Sequence, residues 1–223
     1  MQWTVPDIRK ELSRYTRGDP HLTAQPVGGP LDEAAVAVRR IIEALARSSP
    51  DAAHLPGATA ELERIAASFE DRIRPVALQL SEMWRGEGIA RHDPATGPEN
   101  PIAPPLSMHD AGDGWAEGTV TLGLPYQGPP GNVHGGVCAL LLDAALAVAN
   151  HLAGTNGMTA QLDVTYTLPT PLYVPLTVRA KQLRQDGRKR YTVGEIVADG
   201  QVRATANGLF IAPPASSGKG GSA

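Results

Sequence analysis

Cysteine, aromatic side chains and unbroken apolar runs are all scarce in this chain of 223 residues. The one cysteine, Cys138, excludes an intrachain disulfide framework and any zinc site built on several thiolates. Aromatics are 4% of the residues against 42% hydrophobic, so there is enough apolar material for a core, and that core is aliphatic. The longest apolar stretch, Val137–Ala149, is interrupted by Asp143 and falls short of a bilayer span. Positive charge is not in excess either. Lys+Arg total 20 against Asp+Glu 23, and residues 1–100 carry 12 basic and 15 acidic side chains while the rest carry 8 of each. Neither half has the basic surplus that phosphate neutralisation on nucleic acid requires. Met1–Leu12 mixes charges with a proline, so no signal peptide is read there. The expectation is a soluble cytoplasmic protein that binds neither nucleic acid nor membrane.

What is present changes character near residue 100. Before it the apolar period is helical: Leu31, Ala34, Val38, Ile41, Ile42 and Leu45 recur at three- and four-residue steps. Asp32 and Glu33 stand in front of this run and Arg47 behind it, a charge order that suits a helix dipole. A second helix is expected from an N-cap at Thr59, burying Leu62, Ile65, Phe69 and Ile73. Pro75 then kinks or restarts the chain, with a third short helix carrying Val76, Leu80 and Trp84. The stretch 86–105 holds Pro94, Pro98, Pro101, Pro104 and Pro105 and reads as a linker or extended arm, and the first thirty residues as loosely ordered or wrapped on a partner.

After the arm the period becomes two. Strands are expected at 115–122, 158–168, 176–185, 190–198 and 201–211, with hairpin turns at 185–188 and 199–200, and a long apolar helix over 134–151. Pro169, Pro171 and Pro175 should bend the chain at a sheet edge. The class is α+β: an antiparallel sheet wrapped around one long central helix. It gives a helical extension with its arm over 1–100, a sheet domain over 101–214 and a disordered Gly/Ser tail over 215–223.

The segment 126–150, YQGPPGNVHGGVCALLLDAALAVAN, concentrates the chemistry. A helix apolar nearly all round should be buried, yet this one contains Asp143. Burying an unpaired carboxylate is costly, so Asp143 either sits at an edge bonded to backbone or serves as a general base; the residues alone leave both open. His134, Gly135 and Gly136 precede the helix. Glycines there expose backbone N–H groups at the positive end of the dipole, which suits a carbonyl oxygen becoming an oxyanion. A plain loop-to-helix turn uses the same residues. Asp143 lies nine residues beyond His134, about half a turn out of phase and roughly 13 Å along the axis. Two antiparallel helices in a symmetric dimer can face each helix start toward the other chain's aspartate, so a site shared between subunits is expected. Cys138 reads as a small buried hydrophobe. His92, His109 and His151 lack ligand spacing, and no metal is expected.

Taken together, GPPGNVHGG, LLLDAALA, MTAQLDVTYTLPTPL and DGRKRYTVGEI resemble the hotdog-fold acyl-CoA thioesterases of the PaaI-like family, in particular the branch holding the mammalian mitochondrial thioesterase-superfamily members. The resemblance spans about residues 100–213 and leaves the first hundred unexplained. It implies that Asp143 activates water, that Thr159 positions Asp143 or the water, and that the Gly135 N–H polarises the thioester carbonyl, with His134 shaping the loop. Some PaaI-like enzymes place an Asn six residues before the His; here that position is Gly128, and nearby Asn132 is not equivalent. Asn132 and Gly136 are expected beside the substrate. Arg188 and Lys189 are expected to meet the phosphates of coenzyme A, although a basic hairpin is also an ordinary solvated turn. The resemblance implies hydrolysis of an acyl-CoA to free acid and CoA by a homodimer or dimer of dimers, with no separate cofactor. An alternative is a non-catalytic acyl-CoA sensor, since some hotdog domains are fused to DNA-binding helices; the acidic balance of residues 1–100 and the Asp143/Thr159 pair argue against it. A dehydratase or hydratase would pair Asp and His in a motif not found here.

Overall fold

The computed structural model describes residues 21–77 and 91–213. The body of the expected third helix, the first twenty residues and the Gly/Ser tail lie outside the described residues. Two helices come first, α1 (Pro30–Ala46) and α2 (Leu55–Glu70). Strands β1 (Ser107–Gly112) and β2 (Trp115–Thr121) follow, then a 3-10 turn (Leu124–Tyr126) and α3 (Gly135–Leu152). The chain closes with β3 (Met158–Tyr166), β4 (Pro175–Asp186), β5 (Lys189–Ala198) and β6 (Gln201–Ile211).

The six strands form one antiparallel sheet in the order β1-β2-β4-β5-β6-β3. Alternation decides its faces. Leu176, Val178 and Ala180 on β4, Ile196 on β5, and Ala204, Ala206 and Phe210 on β6 all turn inward and are buried. Against them α3 lays Cys138, Leu141, Leu142, Ala145, Leu146 and Ala149. A sheet wrapped on one apolar helix is the hotdog arrangement, as expected. By length and composition α3 could also cross a bilayer; here one side of it is the core of the domain.

The extension departs from the expectation in an instructive way. α1 forms where its pattern predicts, with Pro30 in its first turn beside Asp32 and Glu33. α2 takes its N-cap at His54 rather than at Thr59, because Pro56 fits a first turn that needs no N–H from it. Within one chain the apolar stripes are only partly covered: Ala34, Val38 and Ile42 of α1 are half-buried, whereas Leu31, Ile41, Leu45, Leu62, Ile65, Phe69 and Ile73 are exposed, and α2 buries no residue. α1 is held by polar side chains instead. Asp32 is buried, accepting from the Val27 N–H at 2.7 Å and from Arg91 Nη2 at 2.7 Å. Arg91 also donates to Glu99 Oε1 at 2.5 Å and to the Gln25 carbonyl at 3.0 Å. Arg39 donates to four carbonyls of the arm, those of Gly97, Pro98, Asn100 and Ala103.

From residue 91 onward the Pro-rich arm is therefore a folded strap. Ala95 and Ala103 are fully buried, and Asp93 Oδ1 accepts from the N–H groups of Ala95 and Thr96. Strand β1 has no apolar alternation to announce it; pairing with β2 makes it a strand, and Leu22 adds to its free edge through a 2.8 Å bond to the Met108 carbonyl.

Candidate active site

The loop entering α3 is built by backbone bonds. His134 N–H donates to the Tyr126 carbonyl and Gly128 N–H to the Asn132 carbonyl, both at 2.9 Å. The turn is so tight that a Cβ at position 128 would lie 2.7 Å from His134 Cα. No side chain stands there without moving the loop, so glycine is required at position 128 in this turn. Pro169–Pro175 folds back over this loop, with Val133 N–H bonding the Thr170 carbonyl at 2.8 Å and Tyr173 held at φ 59°.

His134 is the N-cap of α3 and is exposed; its Nδ1 accepts from the Gly136 N–H at 3.0 Å. Gly136 N–H is thereby occupied, whereas the Gly135 N–H has no hydrogen-bond partner among the described residues. The two glycines are thus not equivalent, and Gly135 holds the free donor at the positive end of the helix. Its carbonyl accepts from the Tyr166 hydroxyl at 2.8 Å. A Cβ on Gly135 would sit 3.3 Å from the Tyr166 ring, so glycine also lets β3 approach the helix start. Tyr166 was not foreseen as a site residue; its only sequence signal was an aromatic at the end of a strand. Burial of the phenol, and then the nearby Cys138, push its pKa up, so it stays a donor at neutral pH. Asn132, Gly135, Cys138, Tyr166 and Thr170 line one cavity of about 380 Å³, with the Asn132 side chain donating to the Pro130 carbonyl. Cys138 is buried beside Thr170, and burial raises its thiol pKa, so it is held away from the thiolate form.

Asp143 stands half-buried midway along α3, and Thr159 Oγ1 on β3 donates to its Oδ1 at 2.9 Å. The carboxylate is thus at the edge of the packed face and bonded to a side chain. Arg188 and Lys189 are exposed on the β4–β5 hairpin, with Arg188 Nε bonded to the Ala212 carbonyl. Register puts that hairpin at the Thr159 end of the sheet, since both Lys189 and Met158 pair with Ile211.

The structure therefore gathers the expected residues into two groups. Asn132, His134, Gly135 and Gly136 gather at the start of α3, joined by Tyr166. Asp143, Thr159 and the Arg188–Lys189 hairpin lie toward the other end of β3. Gly135 and Asp143 are eight residues apart on one helix, roughly 12 Å along its axis. Among the described residues no group of three or more His, Cys, Asp or Glu side chains could hold a metal ion.

The fold is the hotdog arrangement, with two separate groups of polar residues along α3 and β3. A solved structure, protein RHA08564, a thioesterase superfamily protein, is 50% identical to this chain, with a TM-score of 0.78 over 86% of this chain and 95% of that one. The chain belongs to the thioesterase superfamily. Residues 22–78 match a family described as "Hypothetical protein RHA1_ro05818, N-terminal helical domain". Acyl-coenzyme A thioesterase THEM4 of Xenopus laevis is 38% identical over 91 residues, 39% of this chain and 40% of that protein. THEM4 of Mus musculus is 38% identical over 69 residues, 31% of this chain and 30% of that protein. The chain thus matches well under half the length of these curated relatives.

Proposed function

We propose that this protein is an acyl-CoA thioesterase that hydrolyses its substrate directly to a free acid and coenzyme A. The observation that carries the reading is the 2.9 Å bond from Thr159 Oγ1 to Asp143 Oδ1, which fixes the carboxylate and leaves its other oxygen for water. Asp143 takes a proton from that water as its oxygen attacks the thioester carbon. The carbonyl oxygen, negative in the tetrahedral intermediate, is received by the Gly135 N–H at the positive end of α3. Collapse breaks the C–S bond, and the proton held by Asp143 neutralises the departing thiolate. His134 keeps the loop in shape through its bond to Gly136. Asn132 walls the carbonyl end, and Arg188 and Lys189 supply positive charge for the phosphates of CoA.

Each active site takes Gly135 from one subunit and Asp143 from another. Two observations support this. The helix separates the two groups within one chain, and β3 ends the sheet with most of its residues exposed. An unpaired edge strand is a template for a second copy. Antiparallel pairing about the middle of β3 brings the Thr159 end of one strand beside the Tyr166 end of the other.

The test is a panel of acyl-CoA esters, from acetyl to palmitoyl and including phenylacetyl, given to the wild type and to Asp143→Asn. Hydrolysis of at least one ester is expected. The variant should keep its melting temperature and oligomeric state while turnover falls at least about a hundredfold. Near-wild-type hydrolysis by a verified Asn variant removes Asp143 from the mechanism.

A further inference from the structure

The first helix of the extension reaches the active-site loop through one side chain. Glu43, in the last turn of α1, accepts from the Tyr173 hydroxyl at 2.7 Å, and the same hydroxyl accepts from the Leu124 N–H at 3.1 Å. A Cβ on Gly123 would collide with the Glu43 carboxylate, so the turn at 123–126 is pressed directly against it. That turn presents the Tyr126 carbonyl, which receives the His134 N–H at 2.9 Å and so fixes the start of α3.

Tyr173 is held in a conformation it would not adopt unaided. Its φ of 59° lies in the left-handed region, which residues with large side chains rarely occupy. Such a backbone persists only where its surroundings over-determine it, and those places cluster at functional sites. Tyr173 is exposed, so apolar packing does little to hold it. Hydrogen bonds do: its N–H donates to the Leu122 carbonyl at 2.8 Å, and the Leu172 N–H before it donates to the Gly131 carbonyl at 3.0 Å.

A second link runs beside the first. Tyr126, half-buried, donates its hydroxyl to the Ile102 carbonyl of the strap at 3.2 Å. Arg39 of α1 holds the Asn100 and Ala103 carbonyls on either side of that residue. Burial outweighs the Arg39 charge and pushes the Tyr126 pKa up, which keeps the hydroxyl a donor. The loop leading to Gly135 is thus tied to the extension and its strap at two points.

We propose that Glu43 and Tyr173 are positioning residues of the active site: through the Tyr173 hydroxyl, α1 sets the loop that aims the Gly135 N–H at the thioester carbonyl. The inference rests on the thioesterase reading above and gives the extension a part in that reaction. A donor aids catalysis only where it meets the developing oxyanion at about 3 Å, and an interaction made in the transition state alone registers in kcat rather than in KM. Loosening the loop therefore slows turnover and leaves substrate binding nearly intact.

The full-length protein is assayed on an acyl-CoA ester that it hydrolyses, as wild type, Tyr173→Phe, Glu43→Ala, Glu43→Gln and the double variant Tyr173→Phe/Glu43→Ala. Each of Tyr173→Phe and Glu43→Ala is expected to lower kcat about tenfold, the scale of one hydrogen bond to a charged group, with KM within about twofold. The double variant should lose no more than the worse single one, because both break the same link. Glu43→Gln keeps an oxygen acceptor for the hydroxyl and should recover most of the loss. A kcat within about twofold of wild type in both single variants overturns the proposal, whatever their melting temperatures. So do additive losses, or no recovery in Glu43→Gln. Should Glu43→Ala fail to fold, Tyr173→Phe and Glu43→Gln decide by the same criteria. If no ester is hydrolysed, the thioesterase reading fails separately, and hydrogen exchange decides the positioning: faster exchange at residues 131–136 in Tyr173→Phe upholds it, and unchanged exchange there overturns it.

Discussion

At the scale of single residues, the Tyr166 hydroxyl carries a role that the sequence did not announce. It donates to the Gly135 carbonyl at 2.8 Å and fixes the peptide unit next to the free Gly135 N–H. Tyr166→Phe keeps the ring against Gly135 and removes only that bond. One neutral hydrogen bond is worth about 1 kcal/mol, so kcat should fall roughly fivefold with little change in KM. Steady-state kinetics beside a melting curve check this, and an equal loss in kcat and stability would assign Tyr166 to packing alone. Asp143 shows the converse. A carboxylate in an apolar helix stands out in the sequence, and the partner the structure gives it is Thr159 Oγ1.

At the scale of elements, α1 is fastened by the Asp32–Arg91–Glu99 cluster. Burial pushes the Asp32 carboxyl up, but the Val27 N–H, the Arg91 charge and further hydrogen bonds outweigh that and hold its pKa below the ordinary value. A carboxyl with a lowered folded pKa stabilises the fold above its unfolded pKa and loses that contribution as pH falls through the folded one. The fastening should therefore hold at neutral pH and weaken below about pH 4. Hydrogen exchange is expected to show residues 22–46 losing protection on acidification before β4–β6 do. Arg91→Ala leaves Asp32 buried without its cation, a loss of about 3 kcal/mol or roughly 5–10 °C in Tm. A melting temperature within a degree of wild type would show the cluster to be dispensable.

For the whole molecule, the proposed sharing of each site between subunits makes activity depend on assembly. Asp143→Asn subunits mixed with Gly135→Pro subunits should regain part of the lost activity, because one of the two sites in a mixed dimer carries neither lesion. No recovery, with mixed dimers shown to form, would place each site within one chain. The extension is fastened to the sheet domain of its own chain. Leu22 adds to the edge of β1, Glu43 of α1 accepts from the Tyr173 hydroxyl at 2.7 Å, and the strap buries Ala95 among the core residues. Deleting residues 1–90 should therefore lower the melting temperature, promote aggregation or change acyl-chain selectivity. A truncated protein with an unchanged melting temperature, oligomeric state and acyl profile would make the extension a mere tether.

By itself the sequence determined the elements whose signal is local. Period-two alternation marked β2 to β6 to within one or two residues, and an apolar run of helical length marked α3. Asp143 and the glycines after His134 were conspicuous in their surroundings, whereas Thr159 was reached only through the family resemblance. Tertiary structure decided what depends on distant partners. β1 is a strand because β2 and Leu22 pair with it, not through its own polar residues. The arm is a folded strap because Arg39, sixty residues away, takes four of its carbonyls. The stripes of α1 and α2 are left largely uncovered within one chain, since periodicity says which side of a helix is apolar and nothing about what meets it. Between the two site glycines, only the fold could choose: which N–H is spent on His134 Nδ1 and which stays free is set by the rotation of one side chain at the start of α3, and sequence carries no record of that angle.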